Sequence, residues 1–264
     1  MRVLIVNTSE CVGGAAIAAS RLMQALKKNG VKAKMLVRDK QTDHLTVMPV
    51  GSSWTKPFKF LWERMCIFMA NGFKRKGLFL VDIANSGFDI VEHPEFQRAE
   101  VVHLHWINQG FLSLPTMERV LRSGKKVVVT MHDQWFFTGV CHYSGECEKY
   151  KTLCRDCDLM RGGVLGDLAQ RVFRQKLRIY SDARITFVGC SQWMADLARE
   201  SRLTQGHRVV SIPNAINTDL FCPCDKGQAR QELGLPQDKH LLPFGCQRIT
   251  DARKGLRFLV EALQ

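Results

Sequence analysis

Val101-Val102-His103-Leu104-His105-Trp106 and Val128-Val129-Thr130-Met131-His132-Asp133 are two short β-branched runs, each with histidine at its downstream end. Apolar runs without polar alternation suit strands buried on both faces, as in a parallel sheet covered by helices. Strands are therefore expected over 100–106 and 126–131. Working outward, 2–6 is another such run, followed by a Gly-containing turn and a helix whose Ala18, Ala19, Leu22 and Leu26 share one face before Gly30. Strands follow at 31–37, 185–190 and 209–212, with a helix over 192–200 between the last two. Strands alternating with helices give an α/β fold, a doubly wound parallel sheet.

Ligands of such sheets bind beyond the carboxyl ends of the strands. His105 and His132 stand at corresponding ends of two strands and are expected to share a site there. Strand alternation puts His103 on the same face as His105, so the later histidine is the one to reach the crevice. Histidine can hydrogen-bond hydroxyls or phosphates near neutral pH. Gly13 and Gly14 lie between the first strand and its helix, where a ligand could approach the backbone, although a tight turn alone would also explain them. The G-x-G-x-x-G spacing of nicotinamide enzymes is missing, and Val37 is followed by Arg38 rather than an acid, which weakens an oxidoreductase reading.

The 264 residues are 45% hydrophobic and 24% charged, which excludes disordered and low-complexity classes. Lys plus Arg number 38 against 25 acids, a net charge of +13 that favours anionic partners. The cations are spread along the chain and no nucleic-acid motif appears, so nucleic acid is not an expected partner. The N-terminal apolar run is too short for a signal peptide, and no stretch is long enough to span a bilayer. A cytoplasmic location is expected, with any membrane contact peripheral, at its inner face. The basic, aromatic segment 54–80 could lie on an anionic membrane; the plainer expectation is a helix packed on the sheet with its basic residues in solvent.

Cys141, Cys147, Cys154 and Cys157 form C-x5-C-x6-C-x2-C within an insertion at 139–160. Structural zinc, reduced thiols and a redox role all fit this pattern, zinc foremost. A non-enzymatic, zinc-braced module for anionic ligands is accordingly a second reading of the chain. Near the other end, Arg248, Arg253 and Lys254 surround a strand end at Phe244 and a helix start, a possible diphosphate cradle. The loops after His105, His132 and Phe244 are expected to meet at one crevice.

Taken in order, Gly13-Gly14, His132-Asp133, Ser191-Gln192-Trp193, Pro213-Asn214-Ala215-Ile216-Asn217 and Arg248 with Lys254-Gly255 resemble a family 4-like glycosyltransferase of the GT-B fold, the type found in bacterial polysaccharide and cell-surface glycan pathways. The resemblance implies two Rossmann-like domains, an acceptor-binding one at 1–215 and a nucleotide-sugar-binding one beginning at 216. It implies a retaining transfer from a nucleotide sugar to a glycan or lipid-linked acceptor, with no catalytic cofactor. His132 would face the transferred sugar as the catalytic residue. Gly13, Gly14, His105 and Asp133 would contact substrate, and Arg248 and Lys254 would stabilise the departing diphosphate. The hinge departs from the family's P-N-G-(I/V)-D at Ala215 and Asn217, and six positions separate Arg248 from Lys254, one more than expected. The family's E-x7-E segment would fall after residue 264, so a chain of this extent is expected to fold as an acceptor domain and to be inactive alone.

Overall fold

Arg2–Ser9 forms β1, and alternation along it assigns the two faces of the sheet. Val3 and Ile5 enter a small core with Ala19, Met23, Ala33 and Met35. Leu4 and Val6 enter the larger core on the opposite face, with Val102, Leu104, Val129 and Phe187. In this computed structural model, which describes residues 1–75, 77–160, 166–246 and 249–264, the chain divides into two compact units, Met1–Asn217 and Thr218–Gln264.

The first unit is built on a seven-stranded parallel sheet in the order β3-β2-β1-β4-β5-β6-β7. Here β2 is Lys32–Asp39, β3 is Val47–Pro49 and β4 is Val101–Leu104. The remaining strands are β5 (Lys126–Met131), β6 (Ile185–Gly189) and β7 (Arg208–Ser211). Ile5 is level with Met35 on one side and His103 on the other, and His103 is level with Val128. The expected doubly wound architecture is present. Strand order reverses between β1 and β4, which makes their carboxyl ends the topological switch point.

Helix α1 (Gly14–Lys28) covers β1 and β2 on the small-core face. It begins after Gly13, whose φ of 92° and ψ of 160° are essentially restricted to glycine. Helices α2 (Thr55–Ala70), α3 (Pro94–Arg98), α4 (Leu114–Leu121), α5 (Leu168–Ser181) and α6 (Gln192–Glu200) complete the unit. Ser113, Asp167 and Ser191 each accept the backbone N–H three residues on, which explains where α4, α5 and α6 start.

Three features differ from the sequence expectation. Strand β3 was not foreseen, being three residues long and ending in Pro49, which is tolerated at a sheet edge. Strand β2 runs on to Asp39, so an acid does end it, but that carboxylate is held by the adjacent Arg38 guanidinium at 2.6 Å. The second unit contains α7 (Lys226–Glu232), a 3-10 turn at Ala252–Lys254 and α8 (Leu256–Ala262). Among its described residues there is no strand. The apolar stretch ending at Phe244, expected as a strand, is therefore not one. No described helix is long and apolar enough to cross a membrane.

Candidate functional site

Beyond Leu104 the chain stays joined to β1. The His105 N–H donates to the Val6 carbonyl at 2.9 Å, and the Thr8 N–H donates to the Trp106 carbonyl at 2.7 Å. The Asn7 side-chain oxygen accepts from the Trp106 N–H at 2.9 Å. The Thr8 hydroxyl donates to the carbonyls of Trp106 and Asn108. These bonds fix the switch-point loop and bring His105 against His132 at the end of β5. His105 Nδ1 lies 2.9 Å from His132 Nε2, and their rings stack with centroids 5.1 Å apart. His103 sits behind them on the same face, as alternation requires, with its Nε2 2.8 Å from the Thr130 hydroxyl.

Burial disfavours charge on all three rings. His103 and His132 are pushed down to about 4, with Asp133 partly opposing the shift at His132, and His105 falls well below its ordinary value. The histidines are therefore neutral at pH 7, and each ring offers one donor and one acceptor. In the His105–His132 pair one ring donates to the other. His105 Nε2 and both side-chain polar atoms of Asn108 are buried without a protein partner. Such atoms are few in native proteins; of the five among the described residues these three follow β4 at the edge where this fold binds ligands, and the other two, Glu63 Oε2 and Arg64 Nε, are on α2.

Asp133 is engaged from three sides. It accepts from His142 Nδ1 and Trp106 Nε1, each at 2.8 Å, and from the Trp135 N–H at 2.9 Å. The other nitrogen of His142 meets Asp82 at 3.3 Å. An antiparallel bridge between Val81 and Cys141 creates this juxtaposition, with the Asp82 N–H donating to the Val140 carbonyl and the His142 N–H to the Leu80 carbonyl. Burial alone would drive the His142 pKa down, but the two carboxylates, Asp133 foremost, raise it to about 10. Burial likewise opposes the two anions, yet His142 holds Asp133 below its ordinary value, and His142, Glu63 and Arg64 hold Asp82 at about 2. His142 is thus an imidazolium bridging two buried carboxylates.

Helix α2 completes the row. Arg64 donates to Asp82 at 2.8 Å and to the carbonyls of Leu78 and Val81. Glu63 accepts the N–H groups of Ile83 and Ala84, and burial together with the Asp82 charge raises its pKa well above the carboxylate range. The helix also lies directly on the loop after β4. A Cβ on Gly110, whose φ is +75°, would come within 2.8 Å of the Lys59 and Phe60 backbone. Sequence reasoning missed Glu63, Arg64, Asp82, Asn108 and His142. The available signal was the charged pair inside an aromatic helix and an acid between the apolar Val81 and Ile83.

The other expected site residues are more scattered. Gly13 and Gly14 form the exposed start of α1, and a Cβ on either would touch nothing. Lys254 is exposed in the second unit, and Arg248 lies outside the described residues. The four cysteines expected to hold zinc lie near enough to one another to interact electrostatically. Cys141, Cys154 and Cys157 pack against the main core while Cys147 is exposed, and among the described residues no group of three or more His, Cys, Asp or Glu is gathered for a metal. Burial pushes the Cys141 thiol up to about 11 and that of Cys154 to about 12. A cavity of about 310 Å³ lined by Arg2, Lys32, Lys34, Glu95 and Arg98 opens at the amino ends of β1 and β2, away from the histidines, and is not part of this site.

Comparison with known proteins agrees with the geometry. The sequence model of glycosyltransferase family 4 matches residues 12–220, spanning β2 to β7 and both histidines. The chain belongs to glycosyltransferase family 4. It is also 28% identical over 107 residues to the "Putative colanic acid biosynthesis glycosyl transferase WcaC" of Escherichia coli strain K12, an alignment covering 36% of this chain and 26% of that protein.

Proposed function

We propose that the protein transfers a sugar from a nucleotide-sugar donor to a glycan or lipid-linked acceptor in polysaccharide biosynthesis, with retention of anomeric configuration. The supporting observation is the neutral His105–His132 pair at the switch point, beside the unpartnered polar atoms of His105 and Asn108. With His132 Nε2 committed to His105, the remaining edge of its ring is placed for a hydroxyl of the transferred sugar. His105 and Asn108 supply further hydrogen bonds, while Asp133 acts as a positioning anion for the loop that carries His132. In this reading Gly13 and Gly14 leave room for substrate at the start of α1, and Arg248 and Lys254 of the second unit neutralise the leaving diphosphate. Fixed dipoles and cations of this kind lower the barrier without a catalytic cofactor. The reducing cytoplasm suits a protein with ten free thiols and holds the donors this reading requires.

The test is His132→Ala in the full-length protein, assayed for transfer from a panel of UDP-, GDP- and ADP-sugars. Loss of one preorganised group at a reacting centre should lower kcat by about a hundredfold or more with the unfolding transition unchanged. Wild-type turnover in that variant would remove His132 from the site. Sugar-specific product stereochemistry, read by NMR, decides retention.

A further inference from the structure

The amino end of the sheet holds a second concentration of charge. Alternation puts Arg2 and Leu4 of β1, with Lys32 and Lys34 of β2, on the large-core face, and Arg2 is level with Lys32 on the neighbouring strand. Strand β3 pairs with β2 only at Met35, Leu36 and Val37, so residues 32–34 have no strand on their outer side among the described residues. Helix α3 covers this corner with Glu95 and Arg98, and the cavity of about 310 Å³ is lined by the helix and the two strands. Four cations and one acid line it, a local net charge of +3. Glu95 is already engaged, accepting from Lys34 at 2.8 Å and from Arg98 at 3.0 Å, which holds both cations in place. The Arg2 guanidinium and the Lys32 ammonium make no hydrogen bond or ion pair among the described residues. Glu100 accepts the Arg2 backbone N–H at 3.0 Å and does not line the cavity.

From this arrangement we infer that the cavity is a second binding site, for a compact organic phosphate no larger than a monosaccharide phosphate. Two unpaired cations side by side, with two more fixed by a carboxylate, suit a phosphate dianion, to which charge-assisted hydrogen bonds are strong. Leu4 and Ala99 offer the organic body an apolar contact. The volume is at the small end for ligand pockets, and no aromatic ring lines it for a base to stack on, so a nucleotide is the poorer match. Helix dipoles do not account for the cations. Helix α1 ends on the opposite face and carries its own Lys27 and Lys28. The site is also distinct from the histidine edge, since the two ends of the eight-residue β1 are about 23 Å apart. It does not depend on the reading of that edge.

Isothermal titration with glucose 6-phosphate at about 0.1 M salt should give one site per chain with a Kd of about 1 mM or tighter. Inorganic phosphate, which lacks the organic body, should bind at least about threefold more weakly, and glucose should give no heat. Arg2→Gln with Lys32→Gln, both exposed and unpaired, should leave the unfolding midpoint in place and weaken binding at least about tenfold. Lys254→Gln should leave this binding unchanged, which separates the cavity from the diphosphate cradle of the proposed function. Protection of Lys32 from acylation by bound glucose 6-phosphate, read by mass spectrometry against the exposed Lys74, needs no variant. No binding at about 10 mM ligand, an unprotected Lys32, or full affinity in the double variant would overturn the proposal. So would equal affinity for inorganic phosphate or sulfate, which would reduce the cavity to a patch of charge, or loss of binding in Lys254→Gln.

Discussion

Replacing His142 with glutamine removes the cation that bridges Asp82 and Asp133, two carboxylates held in the interior. Taking one partner out of a buried ionic cluster costs about 3–5 kcal/mol, because the remaining charge is left without compensation. A glutamine amide can still donate to one carboxylate, returning about 1 kcal/mol. The expected destabilisation of His142→Gln is therefore about 2–4 kcal/mol. Urea unfolding at pH 7 followed by tryptophan fluorescence is the suitable assay, since all five tryptophans lie in the first unit. Asp82→Asn should also destabilise, but combining it with His142→Gln should cost at least about 1 kcal/mol less than the sum, because the two residues share a contact. A loss below about 1 kcal/mol in the single variant, or additivity within about 0.5 kcal/mol in the cycle, would refute a charged bridge at His142.

The same bridge fixes the pH dependence. The folded pKa of His142, about 10, exceeds its ordinary 6.5, so its contribution is complete below pH 6.5 and disappears as pH rises towards 10. Lys176 acts with the opposite sign over an overlapping range, because burial lowers its pKa from 10.5 to about 7. The readout is accordingly the difference between wild type and His142→Gln, which should shrink between pH 7 and 10. On the acid side, Asp82 stabilises above its ordinary 3.8 and loses that effect as pH falls towards 2, which urea titrations at low pH would follow. Gly110→Ala, strained by its positive φ and by the α2 backbone, should cost at least about 1–3 kcal/mol in the same unfolding assay; an unchanged midpoint would mean that α2 does not rest on that loop. Metal analysis of the purified protein tests the zinc expectation: one zinc per chain supports the tetrathiolate, whereas metal-free protein should show exposed Cys147 reacting with a thiol reagent well before Cys141 or Cys154.

The strands were legible because burial on both faces leaves an unbroken apolar run, and 126–131 is found as β5 without adjustment. The meeting of His105 and His132 was legible too, since both close neighbouring strands at the ligand edge. The partners of Asp133 were not, because His142 reaches it through the Val81–Cys141 bridge and no local spacing announces such a pairing. Helix α2 packs on the core as expected, but which of its sides faces inward was not legible, for a related reason. Its sequence offers apolar residues on more than one side, and the side that faces the protein is chosen by Glu63 and Arg64, whose partners lie in residues 78–84. Of the four clustered cysteines, three pack against the core as small apolar groups, a placement that their spacing does not announce.

Arg64, Asp82, His142 and Asp133 carry alternating signs and sum to zero. Substitution at any one of them strands an odd charge in the interior, so drift through single changes is blocked and escape requires concerted replacement. Descendants of this chain should keep the quartet whole or lose it whole, which makes joint inheritance of those four positions a genealogical marker independent of the histidines that face the substrate.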